Sequence, residues 1–204
     1  MHWDSMRGFR HLAIAALAVT GLAACATPAW VSPVEVTRFT GATPAELVQG
    51  TIAIQPATGL DPQSIEFGLY RTELAEELTA LGYSVVDGAS RQLAVLDITE
   101  SVSQPDRRGG PVSVGGGAST GSYGSGVGLG VGIDLSGRPA EEIARTVAVY
   151  IRPAEGGGNL WEGRASFTAT ANSDYADPAL AAARAIEALF TGFPGRSGET
   201  IEVE

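Results

Sequence analysis

Asp61-Pro62-Gln63-Ser64-Ile65-Glu66-Phe67-Gly68-Leu69-Tyr70-Arg71-Thr72-Glu73-Leu74-Ala75-Glu76-Glu77-Leu78-Thr79-Ala80-Leu81-Gly82 is the stretch that decides the fold. Phe67, Tyr70, Leu74, Leu78 and Leu81 recur at spacings of 3, 4, 4 and 3, with Ile65 and Leu69 beside them. That is one apolar stripe on a helix of about five turns. Asp61-Pro62 reads as its start, because aspartate caps free amides and proline suits the first turn, and Gly82 reads as its stop. An aromatic stripe at this spacing is core. It needs a sheet or a second helix to cover it.

The flanking sequence supplies both. Upstream, Val34–Phe39 and Thr51–Gln55 alternate apolar and polar, and Pro56 ends the second run. Downstream, Tyr83–Val86 and Gln92–Ile98 read as two strands parted by a polar turn over 87–91. Thr146–Ile151 and Leu160–Phe167 read as a further pair joined by Gly156-Gly157-Gly158-Asn159. Asp177-Pro178 repeats the helix-start chemistry. Leu180, Ala183, Ile186, Leu189 and Phe190 give this second helix an apolar face, and Gly192 and Pro194 end it. The order predicts an α+β fold: a mostly antiparallel sheet with two amphipathic helices packed on one face, in a single domain over 34–204.

A Gly-rich insertion interrupts that domain at about 105–126, and 11 of the 24 residues in 109–132 are glycine. Val127, Leu129, Val131 and Ile133 alternate with Gly128, Gly130 and Gly132, the pattern of a strand whose second face carries no side chains. A flexible hairpin is the expectation, open to pairing with another chain's edge.

The N-terminus reads as an address. Arg7, Arg10 and His11 precede the apolar run Leu12–Val19, and small residues follow up to Cys25. The run falls short of the roughly 20 residues a membrane-spanning helix needs. Leu22-Ala23-Ala24-Cys25 resembles the bacterial lipobox. The resemblance implies a signal peptide over 1–24, diacylglycerol on the Cys25 thiol, acylation (a palmitate, for example) of the new terminus, and a lipidated tether over 25–33. Several acyl chains give a lasting anchor, so the membrane is an expected partner. Ala26, where aspartate would signal inner-membrane retention, implies an outer-membrane protein facing the periplasm. Trp30, in the tether, suits a membrane interface.

Composition excludes much chemistry. The 204 residues hold 23 acids and 13 arginines but no lysine, for a net charge of −10. The histidines are His2 and His11, and Cys25 is the sole cysteine. Cutting before Cys25 leaves 22 acidic and 11 basic side chains, a charge of −11, with no histidine and no internal thiol. Such a surface repels nucleic acid, so no nucleic-acid partner is expected. Gly117-Ala118-Ser119-Thr120-Gly121 fits the G-x-S-x-G of a nucleophile elbow, but low complexity surrounds Ser119 and no base is available. A phosphate-binding Walker loop needs the missing lysine. Asp134, Glu141, Glu142 and Asp174 form no calcium loop, and Asp174 and Asp177 flank a helix start. No catalytic residue, cofactor or metal ligand is assigned. Trp161 and Arg164 lie on opposite faces of one strand, with Trp161 expected under a helix.

The lipobox, Phe67…Tyr70…Leu74…Leu78…Gly82-Tyr83, the Gly-rich middle, Leu160-Trp161-Glu162-Gly163 and Leu189-Phe190…Phe193-Pro194 together resemble a widespread family of bacterial lipoproteins, catalogued only as a domain of unknown function. The resemblance covers nearly all of the chain after Cys25 and implies a compact α+β envelope domain, with no catalytic residues to transfer. The expected role is a non-enzymatic accessory or assembly component with an envelope protein partner. The alternatives are a carrier for a lipid or small apolar ligand and, remotely, a carboxylate-based hydrolase.

Overall fold

Alternating apolar and polar residues draw seven strands into one sheet, which two helices cover. The computed structural model describes residues 28–48, 50–105, 112–121, 124–133 and 139–204, and over 112–133 it gives the course of the backbone. In chain order the elements are β1 (Val34–Thr40), β2 (Thr51–Pro56), α1 (Ile65–Ala80), β3 (Ser84–Val85), β4 (Gln92–Ser103), β5 (Val112–Gly121), β6 (Gly124–Ile133), β7 (Glu142–Pro153), β8 (Trp161–Thr170), α2 (Pro178–Phe190) and β9 (Glu199–Val203). The large sheet runs β3-β2-β4-β7-β8-β1-β9, and β5–β6 form a separate two-stranded ribbon. Two units result: Ala29–Gln104 with Glu141–Glu204, and a second that holds β5–β6.

The fold is α+β, and its large sheet is mixed. β2 pairs in parallel with both β3 and β4, while β4–β7, β7–β8, β8–β1 and β1–β9 are antiparallel. Tyr83–Val86 and Gln92–Ile98, the two strands parted by that polar turn, are therefore not neighbours: β2 lies between β3 and β4. α1 returns the chain to the start of β2, so β3 enters parallel to it. The turn then crosses that start, where the Arg91 N–H donates to Thr51 O at 3.2 Å. β4 and β7 also extend well past their apolar cores, because each satisfies the other's backbone over twelve paired residues.

α1 begins three residues after Pro62. Ser64 caps it, its Oγ accepting from the Phe67 N–H at 3.1 Å. Asp61 instead folds the turn before the helix, accepting from the Gln63 N–H at 2.9 Å. Phe67, Tyr70, Leu74 and Leu78 are buried as their spacing predicts, while Ile65 is 85% exposed. Asp177 caps α2 by accepting from the Ala179 and Leu180 N–H groups. The buried face of α2 is turned from the predicted one: Ala181, Ala182, Ala185 and Ala188 join Ile186, Leu189 and Phe190, whereas Leu180 is exposed and Ala183 half-buried. Small side chains let α2 approach α1 and the sheet closely, which outweighs the gain from covering Leu180.

Both helices share one core cluster with Val34, Val36, Leu96, Val147, Val149, Ile151 and Ala165 of the sheet. Trp161 is fully buried there, stacked on Phe190 at 5.2 Å and tilted against Phe193 at 5.1 Å, and its Nε1 donates to Pro194 O at 2.9 Å. A Cβ at Gly163 would come within 2.2 Å of the indole, so the glycine makes room for the ring. β9 was not anticipated, although Thr200-Ile201-Glu202-Val203 alternates. It pairs with β1, setting Ile201 opposite Val36.

Candidate functional site

One end of the large sheet gathers the features that bear on function. Trp30 exchanges hydrogen bonds with Thr170: its N–H donates to Oγ1 and its carbonyl accepts from the Thr170 N–H, both at 2.9 Å. The Ser32 N–H donates to Thr168 O at 2.9 Å, and Val31 bridges Ala169. Arg184 Nη2 donates to Ser32 O at 3.2 Å while its guanidinium lies 4.8 Å from the Tyr175 ring centroid. Residues 30–32, read from sequence as tether, are thus fastened to β8 and α2.

Register carries this end across the sheet. Ala169 is opposite Ile143, and Ile143 is opposite Val102; Thr170, Glu142 and Ser103 form the next row. The chain therefore leaves the sheet for β5–β6, and returns from it, at the end where the N-terminal segment arrives. Both helices start there too. Arg145, 3% exposed, donates through Nε to Glu100 Oε2 at 2.8 Å, through Nη1 to Tyr175 O at 2.6 Å and through Nη2 to Ala176 O at 3.2 Å, just ahead of α2. Tyr70, in the second turn of α1, lies within the fields of Arg145 and Glu100. Its buried hydroxyl has no hydrogen-bond partner among the described residues, and burial pushes its pKa up to about 12. Trp30, Ile65, Val102 and Leu180, four of the five exposed large hydrophobics among the described residues, belong to this end.

The fifth, Phe39, lies at the other end on the opposite face of the sheet. There β1, β8 and β7 set Thr37, Arg164 and Ala148 in one row and Phe39, Glu162 and Tyr150 in the next. These residues line an open groove of about 250 Å³. Small side chains make the floor, Phe39 and Tyr150 the walls, and Arg164 and Glu162 supply one charge of each sign. Thr37 Oγ1 is hydrogen-bonded to Thr200 Oγ1 at 2.8 Å, and Glu162 accepts from Asn159 Nδ2 at 2.8 Å. The groove can seat an extended peptide with an apolar side chain and a charge at either side.

Leu22, Ala23, Ala24 and Cys25 lie outside the described residues, as does Asp134. Ser119 sits within β5 opposite Gly126, so Gly117–Gly121 is strand and not the strand-turn-helix of an elbow. Glu141 precedes β7, Glu142 lies within it, Asp174 opens a 3-10 turn, and Asp177 is the cap of α2. Trp161 and Arg164 occupy opposite faces. Sequence reasoning missed the Arg145–Glu100 clamp. The signal was present: Arg145 shares parity with Val147, Val149 and Ile151, and Glu100 shares it with Leu96 and Ile98, so both charges stand on the core face.

No protein-family profile matches the chain. An uncharacterized protein of Zymomonas mobilis is 26% identical over 215 aligned positions, covering 84% of this chain and 80% of its own length. Among solved structures, a PDZ domain protein from Parabacteroides distasonis aligns at 13% identity with a TM-score of 0.45 over 85% of this chain. The chain spans only 38% of that protein's length. A PelC dodecamer from Paraburkholderia phytofirmans aligns at 13% identity and a TM-score of 0.44, over 80% of this chain and 99% of its own.

Proposed function

We propose that this protein is a lipid-anchored, non-enzymatic component of the bacterial envelope, held through Cys25 at the periplasmic face of the outer membrane and offering the sheet face opposite its helices to an envelope protein partner. The reading keeps the resemblance to lipoproteins of unknown function. It takes the fold as a mostly antiparallel sheet with both helices layered on one face. The observation that carries it is the fastening of Trp30–Ser32 to β8 and Arg184. Only residues 26–29 then separate Cys25 from the sheet, about 13 Å at roughly 3.3 Å per residue. An anchor that short holds the domain at the bilayer with its exposed Trp30 at the interface.

Trp161, Phe190 and Phe193 fill the space between α2 and the sheet, which favours a docking role over carriage of an apolar ligand. The test is Cys25→Ser: the variant should move from the membrane to the soluble fraction and keep the wild-type melting temperature. Continued sedimentation with membranes would defeat the anchor. Photo-crosslinkers at Phe39 and Arg164 should capture one discrete protein from intact cells, whereas the same probe at the exposed Glu76 of α1 should capture none.

A further inference from the structure

The insertion between β4 and β7 forms a two-stranded sheet of its own. No charged residue occurs from Val112 to Ile133. β5 and β6 have ten residues each and pair without a bulge, Val112 opposite Ile133, Val114 opposite Val131, Gly116 opposite Leu129 and Ala118 opposite Val127. One register face thus collects Val112, Val114, Val127, Leu129, Val131 and Ile133, with Gly116, Ala118, Thr120 and Ser125 completing it towards the turn. The other holds only glycine and serine.

Such a ribbon is marginal in water, where two strands without a second layer do not hold. A bilayer reverses that balance. A strand of about 9–11 residues crosses the hydrocarbon when tilted, and an apolar face alternating with a small or polar one is the signature of membrane-barrel strands. Hydrocarbon tolerates no free strand edge, so a lone hairpin cannot stay there; several must close on one another.

We propose that β5–β6 is a bilayer-inserting hairpin, and that several copies of this chain close their hairpins into one transmembrane β-barrel. The Val/Leu/Ile face meets lipid and the Gly/Ser face meets an aqueous lumen. The large sheet agrees in two ways. Its chain departs at Ser103 and returns at Glu142, in the row beside Trp30 and at the end where exposed Val102, Ile65 and Leu180 gather. The two connections to the hairpin are also equal, eight residues each, so both strands can leave together.

The inference goes beyond the anchored-component reading and rests on it only for bringing a bilayer within reach. The test uses the full chain, extracted from membranes and reconstituted into phosphatidylethanolamine/phosphatidylglycerol vesicles holding a trapped dye. Single cysteines at Val127, Gly128, Leu129, Gly130 and Val131 carry an environment-sensitive label, and the wild type labelled in parallel reports any free Cys25 thiol. Labels at 127, 129 and 131 should be quenched from within the lipid, those at 128 and 130 by iodide in water. The wild type should release the dye, and Leu129→Asp should lower the release at least tenfold. Absence of the two-residue period, or sealed vesicles with wild type bound, overturns the proposal. Replacing residues 112–133 by a short Gly-Ser link separates the two readings: that chain should stay on the vesicles yet leave them sealed, and its loss from the vesicles would count against the anchor alone.

Discussion

Arg145 and Arg38 stand on the same face of the same sheet, at opposite ends and equally buried, 3% and 4% exposed. Their surroundings are opposites. Arg145 makes three hydrogen bonds that tie β4, β7 and the turn ahead of α2 into one joint. Arg38 Nε and Nη2 have no hydrogen-bond partner among the described residues, and the guanidinium is packed beneath Gly195. The end proposed to face the membrane is therefore held by a satisfied polar clamp. The far end is held by apolar packing around Trp161, with a buried cation along for the length of its chain. The sharpest tests set those two modes against each other.

The clamp should carry the largest effect. Arg145→Met strips two carbonyls of their donor and releases Glu100, whose side chain is 37% exposed, to water; the two acceptors left unsatisfied cost about 2–4 kcal/mol together. For a chain of this size that is a fall in melting temperature of about 5–10 °C. Urea unfolding would measure it, and a loss below about 1 kcal/mol would show that the joint is held by packing instead. At the far end the corresponding break is Gly163→Ala. The new methyl would meet the indole at 2.2 Å and Leu189 Cδ1 at 2.8 Å, so Trp161 must shift against Phe190 and Phe193. Overpacking of this kind costs about 1–3 kcal/mol. Near-UV circular dichroism should record the displaced ring even if the melting temperature drops little.

The two ends were unequally legible in the sequence. The stripe Phe67, Tyr70, Leu74, Leu78 could be read because burial along a helix follows a local period that no partner needs to supply. The far-end motif Trp161-x-Gly163 was legible as packing for a similar reason, since a bulky ring next to a glycine on one strand face states its own space requirement. The clamp was harder, because Arg145 and Glu100 are 45 residues apart and only their parity betrays them. Strand order was not legible at all for β3 and β4, because a polar turn says nothing of which strand lies between them, and the return of α1 sets both parallel to β2. The face of α2 was misread because alanine contributes little to an apolar pattern yet decides how closely helices approach. The candidate anchor at Cys25 rests on motif alone, and the groove around Phe39 and Tyr150 joins three strands that only the register brings together.

A smaller effect probes the clamp from inside. Burial raises the Tyr70 pKa to about 12, with Arg145 opposing and Glu66 and Glu100 reinforcing the shift. Below pH 10 the phenol is neutral in both folded and unfolded chains and stability is independent of this group. Above pH 10 the unfolded chain loses the proton first, so stability falls as the pH climbs towards 12. Tyr70→Phe should remove that part of the alkaline loss and, by deleting an unpartnered hydroxyl, raise stability at pH 7 by about 1 kcal/mol. Tyr83 is also raised by burial and keeps its own contribution, so the readout is the difference between variant and wild type in urea midpoint at pH 7 and pH 11. An unchanged alkaline loss would place the Tyr70 hydroxyl in contact with water.

The smallest effect is the one that can break the comparison outright. Desolvation lowers the Arg38 pKa and the field of Glu199 only partly opposes it, so the folded state carries a cation it does little to satisfy. Methionine keeps the length and flexibility of that side chain without the charge, and replacing an imperfectly paired buried ion by an apolar residue is often neutral or stabilising. Arg38→Met should therefore change stability by less than about 1 kcal/mol, in the direction of a gain, where the same substitution at Arg145 costs about 2–4 kcal/mol. Arg38→Lys separates charge from shape: it retains the cation but loses the flat guanidinium that fits beneath Gly195, and should be the less stable of the two. If Arg38→Met instead matched Arg145→Met, the far end would hold an ion whose partner acts in solution, and the contrast between a clamped end and a packed end would fall.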